Sequence, residues 1–465
     1  MHAIKIITII CLVILLAMNC KTDTSREVEK KVPSGPAISN VITPEWVKNA
    51  VIYEVNVRQY TPEGTFNAFT EHLPRLKTLG VDILWFMPVN PIGVKNRKGP
   101  LGSYYSVKDY TAVNPEFGTM EDFRRLVEQV HEQGMYAIID WVPNHTAWDH
   151  RWTKEHPDWY KQDEKGEFVS PFDWTDVIQL DYDNEEMRQE MIEEMIFWIR
   201  ESDIDGFRCD VAHMVPVDFW DEARKELDKV KPVFMLAESD QYFLHKNAFD
   251  MTYGWPFHQL IKDIAKGKKT ANAISYHFGT IDSLFPAGSI IMQFTSNHDE
   301  NSWNGTVYEL FDGGVETFTV LAATVPGMPL IYSGQEAGLN KRLRFFEKDT
   351  IKWGEHELFG VYQKLLGLKH RNPALWNGKW GGSLTRVTSS DNKAVYAFVR
   401  EKESDRVFVI LNLTGEQVTV TLKGKVYPGR YNEVFSDETV TFRRNEEVTL
   451  TGWEYRVFEK MSSEK

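Results

Sequence analysis

The chain has 465 residues, enough for one large domain and one or two small ones, and its 42% hydrophobic and 26% charged content is that of a soluble globular protein. A net charge of −14, with no basic stripe, excludes nucleic acid as a partner. With Cys209 the one cysteine in the folded body, internal disulfides are excluded too, and stability must come from packing.

Lys5 precedes an unbroken apolar run from Ile6 to Met18. That is shorter than the ~20 residues needed to span a bilayer and fits the apolar region of a signal peptide. Cys20 follows after Asn19, and residues 16–20 resemble a bacterial lipoprotein cleavage site with Cys20 as the lipidated first residue. Residues 1–20 are therefore expected to be a leader. The expected location is the bacterial envelope, in the periplasm or on the outer-membrane surface, with membrane contact through this lipid only. Residues 21–44 are polar, carry Pro33, Gly35 and Pro36, and read as a flexible tether.

From Trp46 onward, apolar strand-like runs alternate with amphipathic helices. The runs are 51–56, 81–86, 136–140, 205–208, 233–237, 289–294 and 328–332, with a weakly marked one near Phe249 to Thr252. Thr119 with Asp122 three residues on predicts a capping box, and Phe123, Leu126, Val127 and Val130 the buried stripe behind it. Met187, Met191, Met195 and Trp198 mark another helix core. Eight strands alternating with helices predict a (β/α)8 barrel over residues 45–371. An irregular, Trp-rich excursion at about 146–183 reads as a short inserted region after the third strand, on the face where βα loops carry function. Residues 372–465 change to short alternating β runs, such as Val418 to Leu422, and predict a C-terminal antiparallel β-sandwich.

Three strand-like runs end in carboxylates, at Asp210, Glu238 and Asp299. A buried run that ends in a charge is expensive to build without a use for it. Barrel strands converge on one cavity, so the three acids predict a single acidic site. Arg208 lies two residues before Asp210, on the same face of the strand. It is expected to hold Asp210 ionised as a nucleophile. The apolar neighbours of Glu238 and the nearby acids are expected to raise its pKa. A protonated acid beside an ionised nucleophile is the division of labour of retaining glycoside hydrolysis. His145 and His298, at strand ends of the same barrel, complete the ring.

Residues 140–146, 206–213, 237–238 and 294–299 resemble, in order, four signature regions of the α-amylase family, glycoside hydrolase family thirteen. Residues 80–91 and 327–336 resemble its second- and eighth-strand regions, and Tyr105 resembles the tyrosine that stacks on the sugar being cleaved. The resemblance spans residues 46–460. It implies that Asp210 is the nucleophile, Glu238 the acid and base, and Asp299 a ligand of the 2- and 3-hydroxyls of the distorted sugar. It implies that His145 and His298 bind that sugar, that Arg208 orients Asp210, and that His213 contacts the acceptor sugar. The implied substrate is an α-1,4-glucan or maltooligosaccharide, cleaved with retention by a protein expected to be a monomer. Asn144 matches one ligand of a calcium ion that many members hold. A second ligand, commonly a His, is replaced by Met214, a poor donor to a hard cation, so no cofactor is expected to be required. A glucanotransferase of the same family, an exo-acting α-glucosidase and a non-catalytic glycan-binding protein are the alternatives.

Overall fold

The apolar runs pair into a closed parallel barrel in the computed structural model, which describes residues 38–461. Its strands are β1 (Ile52–Val55), β2 (Ile83–Phe86), β3 (Tyr136–Trp141) and β4 (Gly206–Cys209), then β5 (Phe234–Ala237), β6 (Met251–Tyr253), β7 (Ile290–Gln293) and β8 (Met328–Tyr332). Each lies beside the next in sequence, and β8 closes onto β1. All eight stand where the runs predict, the weakly marked sixth included. The leader and Cys20 fall outside the described residues. Among those described, no helix is long and apolar enough to cross a membrane. Residues 39–42, expected as tether, are bonded to the barrel: Asn40 N–H donates to the Lys246 carbonyl at 2.7 Å, and Arg224 to that of Ile42 at 3.3 Å.

Strand parity decides which side chains meet inside the barrel. Ile52, Ile83, Trp85, Ile138, Phe234 and Leu236 form one inner core. Their neighbours Tyr53, Leu84, Ile139, Phe207 and Met235 instead join the layer under the helices, with Phe123, Leu126 and Trp198. Each such buried side chain stabilises the fold by about 1.5–3 kcal/mol. Parallel register pairs Asp140 with Arg208 and Arg208 with Leu236, so these three face the same way. The same parity carries Glu54, Asp210, Glu238 and Tyr253 to the interior at the carboxyl ends of their strands. Cys209 has the opposite parity and packs, buried and unpaired, in the wall. Gly206 starts β4 at φ +155°, where a Cβ would lie 1.9 Å from the Phe234 carbonyl oxygen. Only glycine lets β4 and β5 approach there.

The helix Met120–Glu132 opens with the predicted capping box between Thr119 and Asp122. The methionine stripe is buried in the helix Glu185–Ser202. In the inserted region, His145–Ala147 and Val177–Gln179 form a two-stranded antiparallel ribbon. The last barrel helix, Glu357–Arg371, precedes a β domain. That domain has strands β9 (Ser383–Ser389), β10 (Val395–Lys402), β11 (Asp405–Asn412), β12 (Val418–Lys423), β13 (Gly429–Glu433), β14 (Thr439–Phe442), β15 (Glu447–Leu450) and β16 (Tyr455–Lys460). They form one hydrogen-bonded order, β14-β13-β16-β11-β10-β9-β12-β15. The sheet folds over itself, so Phe442 from one end and Leu450 from the other share a core around Phe408. Buried Arg400 joins this domain to the barrel by donating to the Thr324 carbonyl at 3.0 Å. Tyr455 adds a 2.6 Å hydrogen bond to Glu316.

Candidate active site

Arg208 is the hub of the barrel's carboxyl end. Fully buried, it sets Nη1 2.9 Å from both Asp140 Oδ1 and Asp210 Oδ1, and Nη2 3.1 Å from Glu238 Oε1. Its Nε donates to the Tyr253 hydroxyl at 3.0 Å. Asp210 and Glu238 each follow the last residue of a strand, and the pairing of Cys209 with Ala237 brings them side by side. Val211 then takes φ +37°, a left-handed conformation rare for a β-branched residue. This turn aims its N–H at Glu238 Oε2, 2.8 Å away. A second chain of contacts starts at Glu54 on β1. One carboxylate oxygen accepts from His298 Nδ1–H and the other from the His298 backbone N–H. His298 Nε2 lies 2.8 Å from the Tyr105 hydroxyl and 3.3 Å from Asp299 Oδ2. Tyr105 donates to Asp140 Oδ2 at 3.0 Å, and Trp85 Nε1–H donates to the same oxygen at 3.2 Å.

These contacts set the protonation of the site. Burial, then the negative charge of Glu238, pushes the Asp210 carboxyl well above the usual carboxylate range. Burial acts on Glu238 in the same direction, but Arg208 and the Val211 N–H outweigh it and hold Glu238 low. The two carboxyls titrate as a pair, with Asp210 the one held high and Glu238 the one held low. This reverses the expectation of an ionised Asp210 beside a protonated Glu238. The physical reason is that Arg208 divides its charge among three carboxylates, while Glu238 gains a backbone N–H besides. Burial also raises Asp140, to about 6, against the pull of Arg208. Burial lowers His145 to about 4, so its ring is neutral. For His298, burial is outweighed by Asp299 and Glu54, which hold its pKa up at about 9.

Above this network lies a cavity of about 440 Å³ whose lining includes Tyr105, His145, Asp210, Glu238, His298 and Asp299. The model of the α-amylase catalytic domain matches residues 41–175 and 155–405. The chain belongs to the α-amylase family. The α-amylase SusG C-terminal domain model matches residues 395–457. The chain is 29% identical over 402 residues to Alpha-amylase MalA of Haloarcula japonica, covering 82% of this chain and 57% of that protein. It thus spans little more than half of that relative. The maltogenic α-amylase AmyB of Thermotoga neapolitana superposes with a TM-score of 0.83 at 31% identity, covering 90% of this chain and 100% of that one. An α-amylase of Lactobacillus plantarum gives 0.79 at 32% identity, with coverages of 90% and 100%.

Most of the α-amylase-type residues read from the sequence meet at this cavity. Arg208 lies beneath it. His213 is exposed on the short turn Ala212–Met214, three residues after Asp210 and outside the cavity lining. Asn144 Nδ2–H donates to His145 Nδ1 at 3.2 Å, and the Asn144 backbone carbonyl accepts from the Leu180 N–H at 3.1 Å. Among the described residues, no three His, Cys, Asp or Glu side chains are grouped to hold a metal ion.

Sequence reasoning missed Glu54, Asp140 and Tyr253 as members of the site. Glu54 carried the same signal as the chosen acids, a carboxylate inside an apolar run. Glu54→Gln keeps an acceptor for the His298 ring but removes the charge. The positive charge on His298 persists up to about pH 9 in the folded protein. Its stabilising share is therefore full below the unfolded His pKa of ~6.5 and lost as pH rises through 9. In Glu54→Gln the alkaline limb of kcat/KM is expected to move down by about 1–2 pH units, toward the ordinary His value. A pH–rate profile from 5 to 10 checks this, and an unmoved limb would remove Glu54 from the site's electrostatics.

Proposed function

We propose that this chain is a retaining glycosidase that cleaves α-1,4-glucosidic bonds in starch-derived glucans or maltooligosaccharides. The observation that carries the reading is the pair Asp210 and Glu238, bridged by the Arg208 guanidinium. Carboxyls in such close contact suit direct attack. An inverting enzyme needs about 6.5–9.5 Å between its acids to admit a water.

The proton passes from Asp210 to Glu238 as substrate binds. Asp210, left ionised beside Arg208, attacks the anomeric carbon. The glycosidic C–O bond breaks, and Glu238 delivers the proton to the leaving oxygen. Glu238, now a carboxylate, takes a proton from water. The resulting hydroxide attacks the same carbon and releases Asp210, with two inversions giving net retention. Asp299 accepts hydrogen bonds from ring hydroxyls of the distorted sugar, an interaction that strengthens in the transition state. Charged His298, held by Glu54, supplies a donor at the same ring, and Tyr105 supplies an aromatic face.

The test is incubation of the purified protein with maltoheptaose, with products resolved by length and by anomeric form. Shorter products appearing first as the α anomer are expected. Products longer than the input would make transfer to sugar the main activity, β-anomeric products would refute retention, and an unchanged substrate would refute the α-1,4 assignment.

A further inference from the structure

One wall of the active-site cavity is an arch built by the loop after β2. At one end the arch is tied to the inserted region. Val94 N–H reaches both carboxylate oxygens of Asp149, at 3.2 and 3.1 Å, and the Lys95 ammonium lies 5.0 Å over the Trp148 ring. Lys98 Nζ lies 3.0 Å from Asp176 Oδ1, and both residues line the cavity. At the other end the arch joins the loop after β8. Leu101 N–H donates to the Phe346 carbonyl at 3.0 Å. Buried Arg58 donates to the Gly102 carbonyl at 3.2 Å, and to those of Leu101 and Phe345 at 3.4 Å each. Gly99 has φ +63°, and a Cβ there would come within 2.6 Å of Phe346 Cβ, so the two loops touch without a gap. Three loops that elsewhere could splay apart are thus cross-linked over one end of the cavity.

Contacts identify which end. Phe345 stacks 6.2 Å from Tyr105 and packs 5.2 Å from Trp303, which lines the cavity together with Asp299. The arch therefore stands beside the groups assigned to hold the sugar whose bond is cut. Glu238, which protonates the leaving oxygen in that assignment, has Val211 and Arg208 as its partners instead. A glucan's leaving portion departs on the Glu238 side, so the arch faces the other portion, the one that runs to the non-reducing end. Lys98 and Asp176 line the same cavity as Phe345, Phe346 and Asp299. Asp176 is only 6% exposed, so the pair is partly desolvated and less screened than a surface bridge.

We propose that this arch closes the glycone side of the site. The enzyme then removes short units from the non-reducing ends of α-glucans, with the Lys98–Asp176 pair as its specificity-determining lock. The inference rests on the hydrolase reading above.

The experiment uses maltoheptaose carrying a fluorescent amide label at its reducing end, with wild type, Lys98→Met and Lys98→Arg compared over the first turnovers. Wild type is expected to shorten the labelled chain stepwise and release small unlabelled sugars. Lys98→Met is expected to raise the share of internal cuts about fivefold, the weight of one ion pair, and Lys98→Arg to restore the wild-type pattern. Internal cleavage by wild type from the start would overturn the closed end while leaving the hydrolase reading intact. End cleavage unchanged in Lys98→Met would overturn the lock. No turnover by wild type would overturn the hydrolase reading and this inference with it.

Discussion

Asp210→Asn is expected to lose about 10,000-fold or more in kcat/KM, equivalent to ~5 kcal/mol of transition-state stabilisation, while the protein still folds. The amide oxygen is too weak a nucleophile to form the glycosyl ester, and no other carboxylate occupies its position beside Arg208. Folding should survive because the substitution is isosteric. Burial, then the negative charge of Glu238, holds the Asp210 carboxyl well above its ordinary pKa, toward the neutral form. A neutral amide mimics that form, so the melting temperature is expected to hold or rise slightly. Turnover of maltoheptaose and a melting curve on the same preparation check both halves. Activity within about tenfold of wild type would remove Asp210 from the nucleophile role.

Arg208→Met is expected to damage both activity and stability. It removes the guanidinium that contacts Asp140, Asp210 and Glu238, the last two of which line the cavity. Leaving buried carboxylates without their counter-charge typically costs about 3–5 kcal/mol. The sign with pH follows from linkage. Without Arg208 the folded-state carboxyl pKa values rise, so the variant is penalised most where those groups must ionise. The deficit should therefore be larger at pH 8 than at pH 5, where protonation relieves it. Urea unfolding at the two pH values measures this directly. An equal deficit at both would mean that Arg208 acts through packing over Trp85, 5.0 Å from its guanidinium, more than through charge.

Much of this site was legible in the chain because a strand writes its face into its period. Asp210 and Arg208, two apart, had to share a side of β4, and Cys209 between them had to point away. Glu238 and Asp299 were marked by apolar runs that end in a charge. Glu54 obeyed the same rule but sits inside its apolar run and not at the end of it, and Tyr253 sat in a three-residue strand too short to show a period.

What the chain could not disclose depends on contacts between elements far apart in sequence. Strand order, strand faces, the capped helix at Thr119 and the acids at the strand ends follow from local alternation and short spacings, so the sequence by itself determined them. Which carboxyl is held high depended on the pairing of β3 with β4, which sets Asp140 beside Arg208 and so splits one positive charge three ways. The exposure of His213 depended on the left-handed turn at Val211, and the arch on Lys98 meeting Asp176 and Leu101 meeting Phe346. Only the tertiary structure decided these. A residue's period is encoded by its neighbours in the chain, whereas its electrostatic partner is fixed by whatever the closed barrel brings within a few ångströms.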